Sequence, residues 1–448
     1  MENQWNNRAG EPKMTEYALS PLDQAHAYRL EGHEEPSLRL AIACALADSE
    51  TPGPIALIAR ILVDQERELP AAAIAERLVD AFIRRGDLPS AVVASTVALD
   101  AGQPQRPLLT AIAKAFSKAA TKPASGGVKP PPIPREPELS DDLNKLTGDA
   151  LYAEAERVLS AYLAAPDALP SDDVPNLPLF GTLDQRELEQ LLSAVRVEEV
   201  SQGHEIVRQG DPGSEAFVVA RGALKVVRRE GADETLLARL GPGQIFGEMA
   251  LISESPRSAS VVALEPALLL VLARDELERA AEDAPELSAQ LSAFCHGRMH
   301  ANLIRHARVL SGLAREQRSE LLATLESRFF EASTPLIEQG QEGNSIFLIA
   351  SGAVSISVPE DGERLVLATL GPGEVVGEMS LILRRPASAD VFALYPTVAY
   401  ELSADKLQQL MRVYPALLVE LYDLATRRDE EIRATEGSEA LSADDILV

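Results

Sequence analysis

The stretch FGEMALISESPRSASV, from Phe246 to Val261, is the part of this sequence that decides its fold. It places a Gly-Glu pair, a short run able to form one helical turn, and a Pro-Arg-Ser-Ala corner close together in the chain. Glycine allows close backbone approach, a carboxylate accepts hydrogen bonds, and a guanidinium offers planar, charge-assisted donors. The combination predicts one site that holds a small anionic ligand from several sides.

The chain beyond Leu179 repeats itself with a constant offset. GDPGSEAFVVARGALKV, from Gly210, matches GQEGNSIFLIASGAVSI, from Gly340, so the offset is 130 residues. The same offset, without insertion or deletion, relates further pairs: Gly222 to Gly352, the GPG at 241 to the GPG at 371, Glu248 to Glu378, and Val261 to Val391. The opening stretch therefore has a second copy, VGEMSLILRRPASADV, at residues 376–391.

Each unit of the repeat has the pattern of a small antiparallel sheet structure. Short runs of β-branched and apolar residues alternate with glycine turns, as in EAFVVARGALKVV and TLLARLGPGQIFG. A helix closes each unit, beginning near Arg274 and Ser403 and continuing to about Arg305 and Arg433. The predicted fold class is α+β, with an N-terminal all-α helical-hairpin domain before two antiparallel β-roll (jelly-roll-like) domains with flanking helices.

The region from Pro21 to Ala119 is dominated by Ala and Leu, with Gly or Pro at intervals. These breaks predict about six helices of roughly ten to fifteen residues. Two segments, which begin at Gly32 and Arg84, resemble the turn and second helix of a tetratricopeptide repeat. However, Gly32 and Gly86 are 54 residues apart, which is not a multiple of the roughly 34-residue repeat. We predict a solenoid-like interaction domain, with an ordinary helical bundle as the alternative.

Two breaks separate this region from the repeat. Lys122 to Glu138, KPASGGVKPPPIPREPE, combines flexible Gly with stiff Pro and predicts a domain boundary. Its PPPIP segment is either a spacer, which we favour, or a ligand for an aromatic groove. The apolar residues from Asp149 to Ala164 again have the spacing of a helix, and this helix could pack on the helical domain before it or on the repeat after it. One face of it carries Leu151, Val158, Leu159 and Tyr162. A polar, Pro-containing break follows from Ala165 to Pro178.

Composition limits the function classes. The 448 residues allow roughly three domains, and 42 basic against 69 acidic residues give a net charge of −27. Nonspecific binding to nucleic acid or to an anionic membrane is therefore disfavoured. Cys44 and Cys295 are far apart and suggest no disulfide framework. The N-terminus lacks a signal-type apolar core and no apolar run is long enough to span a membrane, so we expect a cytoplasmic protein.

Both repeat units resemble cyclic-nucleotide-binding domains, the effector module shared by the catabolite activator protein and the regulatory subunit of protein kinase A. The resemblance rests on the turns at Gly210, Gly213 and Gly222, on GPGQIFGE at 241–248, and on PRSASV at 256–261. It implies that Glu248 takes the ribose 2′-hydroxyl and that Arg257 pairs with the cyclic phosphate. Their separation of nine residues is that of the kinase-regulatory type.

The first unit is expected to bind cAMP, or cGMP, without a cofactor or metal. Its candidate ligand-binding residues are Gly247, Glu248, Met249, Ala250, Arg257, Ser258 and Ala259. The run from Met249 to Ile252 would supply a helix start, and Ser258 and Ala259 would present N–H groups to the phosphate. The hydroxyl of Ser258 is compatible with either nucleotide. In the alternative reading, Glu248 and Arg257 form a structural salt bridge that binds nothing.

A helix from Glu286 to Leu303 is implied as the lid over the base. Phe294 and Met299 are its candidate apolar covers, although plain core positions are the more frequent explanation for such residues.

The second unit departs from the pattern where the phosphate would bind. Ala387 stands at the arginine position, and Asp390 replaces the equivalent of Ser260, so a phosphate should be repelled. Arg384 and Arg385 lie just upstream and have the option of turning inward. We expect a degenerate copy kept for packing or partner contact. A working second site would use Gly377, Glu378, Ser388 and Ala389. RRPAS at 384–388 resembles a basic kinase substrate motif, to which we assign no role.

The rest of the chain narrows the function. After Leu402 the sequence has room for closing helices and an acidic tail, so we expect no DNA-reading helix-turn-helix, and no kinase, cyclase or phosphodiesterase signature is present. We expect a non-enzymatic receptor or regulatory adaptor that relays ligand binding to a protein partner through the helical domain, the second roll or the tail. It would bind no nucleic acid, and a homo-oligomer stays open. The alternative is a structural scaffold whose rolls contact proteins without ligand.

The predicted division of the chain has six parts. They are 1–15 disordered, 16–120 helical domain, 121–178 Pro-rich linker with one helix, 179–306 first cyclic-nucleotide-binding domain, 307–433 second, degenerate domain, and 434–448 acidic tail.

Overall fold

The computed structural model describes residues 19–48, 51–67, 69–119, 137, 139–165, 179–230, 233–251, 256–360 and 363–444. Residues 1–15, predicted to be disordered, lie outside these ranges, as does nearly all of the Pro-rich segment from Lys122 to Glu138.

The N-terminal region forms the six helices that the Gly and Pro breaks predicted. They are α1 (Pro21–Leu30), α2 (Glu34–Ala47), α3 (Pro52–Asp64), α4 (Ala71–Arg84), α5 (Leu88–Asp100) and α6 (Arg106–Phe116). Consecutive helices pack on one another. Gly32, Gly86 and Gly102 follow helix ends with φ between 71° and 80°, the left-handed backbone that a glycine adopts without strain.

Two further helices belong to the same body. They are α7 (Asp141–Lys145) and α8 (Gly148–Ala164), and α8 packs on α2, α3 and α4. Three of the four predicted face residues of α8 are buried, namely Leu151, Val158 and Leu159. The ring of Tyr162 lies under the Arg77 guanidinium. This helix therefore packs on the helical domain and extends its core.

The first roll follows a 3-10 turn (Phe180–Thr182) and α9 (Gln185–Ser193), whose start carries a capping box between Asp184 and Glu187. Its strands are β1 (Val195–Val200), β2 (Glu205–Val207), β3 (Glu215–Arg221), β4 (Leu224–Glu230), β5 (Asp233–Leu240), β6 (Ile245–Phe246), β7 (Ser260–Ala263) and β8 (Ala267–Ala273). They form two antiparallel sheets, ordered β1-β8-β3-β6 and β2-β7-β4-β5.

The second roll repeats this topology. Its strands are β9 (Glu326–Phe330), β10 (Pro335–Ile337), β11 (Ser345–Ser351), β12 (Val354–Glu360), β13 (Glu363–Leu370), β14 (Val375–Val376), β15 (Asp390–Ala393) and β16 (Thr397–Ser403). The sheets are ordered β9-β16-β11-β14 and β10-β15-β12-β13, so each strand occupies the place of its counterpart in the first roll. The predicted pair of antiparallel rolls is confirmed.

Helices flank both rolls. They are α10 (Arg274–Asp283) and α11 (Pro285–His306) after the first roll, α12 (Arg315–Thr324) before the second, α13 (Glu378–Leu383) within it, and α14 (Ala404–Val413) and α15 (Pro415–Asp444) after it. A 3-10 turn, Arg308–Leu310, links α11 to α12. The final helix extends beyond the predicted end near Arg433, because the following residues are mostly good helix formers with one glycine. The expected acidic tail is thus helical as far as Asp444.

The hydrophobic cores connect the domains. One cluster runs without interruption from the N-terminal helices to the outer faces of β3 and β8, and a separate cluster fills the first roll. Helix α11 contributes Leu287 and Leu291 to the first of these clusters, and Met299 and Leu303 to the cluster on the outer face of the second roll. No helix in the described part of the chain is long and apolar enough to cross a membrane.

Candidate functional site

The predicted ligand stretch surrounds one corner of the first roll. Strand β6 leads into Gly247, which has φ of 73°, and then into a 3-10 helix at Glu248–Leu251. Arg257 lies just before β7, where its N–H donates to the Asp211 carbonyl at 2.9 Å and its own carbonyl accepts from Gly210 N–H at 2.9 Å. The turn at 210–211 therefore fixes the backbone from which the arginine projects.

The Arg257 guanidinium is held against the glycine corner. Its Nη1 donates to the Gly247 carbonyl at 3.0 Å and its Nη2 donates to the Glu215 carbonyl at 2.8 Å. The side chain needs two glycines, because a Cβ added at Gly247 would lie 2.7 Å from Nη1 and one added at Gly213 would lie 2.8 Å from Nη2. Its Cζ also lies 5.9 Å from the centre of the Phe217 ring.

This guanidinium carries a charge that no direct ion pair with a described residue neutralises. Burial lowers the pKa of Arg257, while the more distant carboxylates of Glu215 and Glu248 raise it. No carboxylate of the described residues lies within 4.0 Å of its nitrogens, since the contacts above are made with neutral carbonyls. A guanidinium has five N–H donors, so it retains the capacity to bind an anion.

Glu248 has a different partner from the one considered in the sequence. The side chain is 5% exposed, and its Oε1 accepts from Arg298 Nε of α11 at 3.1 Å. Arg298 Nη2 also donates to the Ile245 carbonyl at 3.3 Å, and Cys295 Sγ donates to the Glu248 carbonyl at 3.4 Å. The structural salt bridge between Glu248 and Arg257 is therefore not formed, and the carboxylate is tied to α11.

The other predicted contacts of the first unit take several positions. Ser258 is exposed, whereas Ala250 and Ala259 are buried at 3% and 8% exposure. Met249 packs against the core cluster of the second roll, so its side chain serves the contact between the rolls. Ile252 lies outside the described residues. The corner thus brings together Gly247, the Glu248 carboxylate and the Arg257 guanidinium.

Sequence reasoning missed the arginine that holds the carboxylate. Arg298 has a counterpart 130 residues later, Arg428, whose Nη1 contacts Glu378 Oε1 at 2.7 Å. The same nitrogen donates to the Val375 carbonyl at 2.7 Å, which matches the second contact of Arg298. The constant offset of the repeat is the signal from which this pair of arginines could have been found.

The second unit has filled the space that the arginine would need. Its corner residues form a true helix, Glu378–Leu383, and Ala387 replaces Arg257. A Cβ added at Gly343 would collide with Ser380 of that helix, whereas the equivalent Cβ in the first unit would meet the guanidinium. The helix therefore occupies the volume in which the first unit keeps its arginine.

Two polar residues near the second corner, Arg385 and Asp390, have structural partners. Arg385 forms an ion pair with Asp429 of α15, so it does not turn toward the corner. Asp390 Oδ1 accepts from Gln339 N–H at 2.8 Å, as Ser260 Oγ does from Gln209 N–H at 3.0 Å in the first unit.

The other candidates of the second unit and the predicted lid also have defined positions. Gly377 has φ of 87°, Ala389 is buried and Ser388 is exposed. Burial raises the pKa of Glu378, and Arg428 acts against that shift. The two proposed covers differ. Met299 is fully buried in the cluster on the outer face of the second roll, whereas Phe294 is half-buried and packs against the cluster that joins the N-terminal helices to the first roll.

Comparison with known proteins gives consistent matches over both rolls. Residues 197–284 and 327–414 match the family model described as the cyclic nucleotide-binding domain. The chain is 30% identical over 233 residues to the cAMP-dependent protein kinase regulatory subunit of Yarrowia lipolytica, which covers 52% of this chain and 58% of the relative. It is 29% identical over 222 residues to the cAMP-dependent protein kinase type II regulatory subunit of Drosophila melanogaster, covering 50% and 56% respectively.

Among solved structures, the regulatory domain of Toxoplasma gondii PKA with cAMP is 22% identical, with a TM-score of 0.26, over 57% of this chain and 92% of that one. The chain spans little more than half the length of the curated relatives described above. The two segments matched by the family model fall within the two antiparallel rolls and their flanking helices. Residues 197–284 and 327–414 are therefore two cyclic nucleotide-binding domains in tandem.

Proposed function

We propose that this protein is a cyclic-nucleotide receptor that binds cAMP, or cGMP, in the first roll and passes that event to a protein partner. One observation carries the proposal. The Arg257 guanidinium is half-buried at the glycine corner, donates hydrogen bonds to two backbone carbonyls, and has no carboxylate of the described residues within ion-pairing distance. A cyclic phosphate, with one negative charge and oxygens arranged for paired hydrogen bonds, is the ligand this group suits best.

The second polar group of the corner fits a nucleotide. Glu248 is an acceptor for a ribose hydroxyl, and Arg298 occupies Oε1 only, so Oε2 is the oxygen we assign to the sugar. The Yarrowia and Drosophila relatives are regulatory subunits of cAMP-dependent protein kinase, and a further relative, 25% identical, is a cGMP-dependent protein kinase of Caenorhabditis elegans. These names support a cyclic nucleotide as the ligand, and the titrations described below distinguish cAMP from cGMP.

The same contacts favour one working site in the tandem pair. The first unit uses Gly247, Glu248, Met249, Ala250, Arg257, Ser258 and Ala259, with Arg298 added as the residue that holds Glu248. In the second unit, α13 fills the arginine space and Asp390 adds a negative charge. The second roll then serves packing or partner contact, as the sequence predicted for a degenerate copy.

The proposal is of a regulatory, non-catalytic protein. Both relatives described above are regulatory subunits, which supports a role in controlling a protein partner. The location we propose is the cytoplasm, where Cys44 and Cys295 would stay reduced.

Calorimetric titration of the full chain with cAMP and with cGMP tests the proposal. We expect a stoichiometry of one, and an affinity about 30-fold weaker or more in Arg257→Gln, equivalent to roughly 2 kcal/mol. The control is Arg208→Gln, an exposed arginine of the same roll that pairs with Glu205. Absence of binding at millimolar ligand, or equal affinities in the wild type and Arg257→Gln, would contradict the proposal.

A further inference from the structure

Strand β3 connects the ligand corner to the N-terminal helical domain. Its inward residues, Phe217 and Val219, belong to the core of the first roll. Its outward residues, Ala216, Val218 and Ala220, belong to the cluster that includes the N-terminal helices, and α5 contacts the strand directly. The strand begins at Glu215, whose carbonyl accepts from Arg257, so one strand touches both the phosphate-binding group and the helical domain.

The helical domain is also held to this roll by charged contacts. Asp23 of α1 forms an ion pair with Arg221 at the end of β3, and Arg29 of α1 forms one with Glu199 of β1. Arg29 also contacts Asp64 of α3 at 2.6 Å. The four side chains that cross the interface are between 14% and 22% exposed, so water screens these pairs less than surface pairs. We call the Asp23–Arg221 and Arg29–Glu199 pairs the α1 latch.

The second roll shows that the fold does not require the latch. The residues 130 positions after Glu199 and Arg221 are Phe329, which is 60% exposed, and Ser351. The strand β11 of that roll is covered by α11 in place of α5. The two charged residues therefore belong specifically to the roll that carries the helical domain and the arginine.

We propose that the N-terminal helical domain is the output element of the first site, and that ligand binding loosens its contact with β3 and the α1 latch. A phosphate that draws the Arg257 guanidinium toward itself weakens the hydrogen bond to the Glu215 carbonyl, and so removes one of the contacts that hold the start of the strand against which α5 packs. The inference rests on the proposed function, since it names the part of the chain that responds to the ligand. By linkage, a ligand that weakens docking must bind more tightly when docking is weakened by other means.

The test removes the latch charges with near-isosteric substitutions. Full-length Asp23→Asn/Glu199→Gln is compared with the wild type and with Asp100→Asn, which removes an ion pair to Arg60 within the helical domain. Hydrogen exchange of α1 and α5 reports docking, and calorimetry reports the affinity for cAMP. We expect faster exchange and about five-fold or more tighter cAMP binding in the latch variant, with the affinity of Asp100→Asn unchanged within about two-fold.

The outcomes separate the two proposals. If the wild type binds cAMP and the latch variant exchanges faster but binds with the same affinity, the coupling is wrong and the proposed function stands. If exchange in α1 and α5 is unchanged in the variant, the latch assignment is wrong. If the wild type binds neither cAMP nor cGMP, the proposed function fails and the coupling fails with it.

Discussion

Arg298 Nε lies 3.1 Å from Glu248 Oε1, so the carboxylate assigned to the ribose is held by the helix that leads into the second roll. The same helix places Met299, the next residue, in the core on the outer face of that roll. Movement of Glu248 toward a ligand therefore bears directly on a helix shared by both domains. The equivalent pair in the second roll, Arg428 and Glu378, makes the same contact beside a closed corner.

The two arginines form a matched pair for mutation. Arg298→Gln and Arg428→Gln each leave a buried carboxylate without its ionic partner, and we expect each to lower the free energy of unfolding by about 1–3 kcal/mol. Only Arg298→Gln should weaken cAMP binding, by about ten-fold, because only its partner Glu248 faces the site that we propose to bind the ligand. Urea denaturation and calorimetry measure the two effects. An equal loss of affinity in both variants would contradict the assignment of one working site.

Gly213→Ala tests whether the arginine needs the glycine corner. The added methyl would lie 2.8 Å from Arg257 Nη2 and closer still to Nε, and the backbone there is not left-handed, so the cost is steric. Because a flexible side chain can move away, we expect a loss of cAMP affinity of about ten-fold with a smaller effect on the thermal midpoint. Gly241→Ala, which meets no atom within 4 Å, is the control. Wild-type affinity in Gly213→Ala would show that the position of the guanidinium is not critical.

Ala387→Arg restores the missing residue in the second unit, and we expect it to fail as a repair. The new side chain has to enter space taken by Ser380 and its helix, so the free energy of unfolding should fall by about 1–3 kcal/mol. Stoichiometry of cAMP binding should stay at one. Ser388→Arg, at an exposed neighbour, should change stability by no more than about 0.5 kcal/mol. A second binding event in Ala387→Arg would show that the corner reopens.

The fold was predictable from local signals. The constant offset of 130 residues predicted two copies of one roll, because turns that need left-handed glycine recur at Gly210 and Gly340 and at Gly222 and Gly352. Regular Gly and Pro breaks also predicted about six N-terminal helices, because a Gly or Pro ends a helix within a few residues of its own position.

The partner of the candidate site was less predictable. Glu248 and Arg298 are 50 residues apart, and their contact depends on how α11 packs across the roll, which no local pattern specifies. The joining of the helical domain to β3 is a tertiary contact of the same kind. The repeat did hold part of the answer, since Arg298 and Arg428 share the offset of the carboxylates they contact.

The stability of the helical domain on the first roll should depend on pH through His26. This α1 side chain is 8% exposed, and its pKa lies well below the usual value because of burial, then Arg221 of β3, then Arg29 of its own helix. Cys44 of α2 stays neutral over the range, since burial raises its pKa to about 11. Below about pH 6.5 the unfolded chain binds a proton at His26 that the folded chain excludes. The free energy of unfolding should therefore keep its full value above about pH 6.5 and should decrease as the pH is lowered further.

The slope of that loss approaches about 1.4 kcal/mol per pH unit from this residue alone. Urea denaturation between pH 7.5 and 5.5 measures it, as the difference between the wild type and His26→Gln, because other groups titrate equally in both. His33→Gln, at an exposed histidine, should run parallel to the wild type. A His26→Gln curve as steep as the wild type would mean that the imidazole accepts a proton in place. In that case the interface between α1 and the first roll would be far more open to water than its packing indicates.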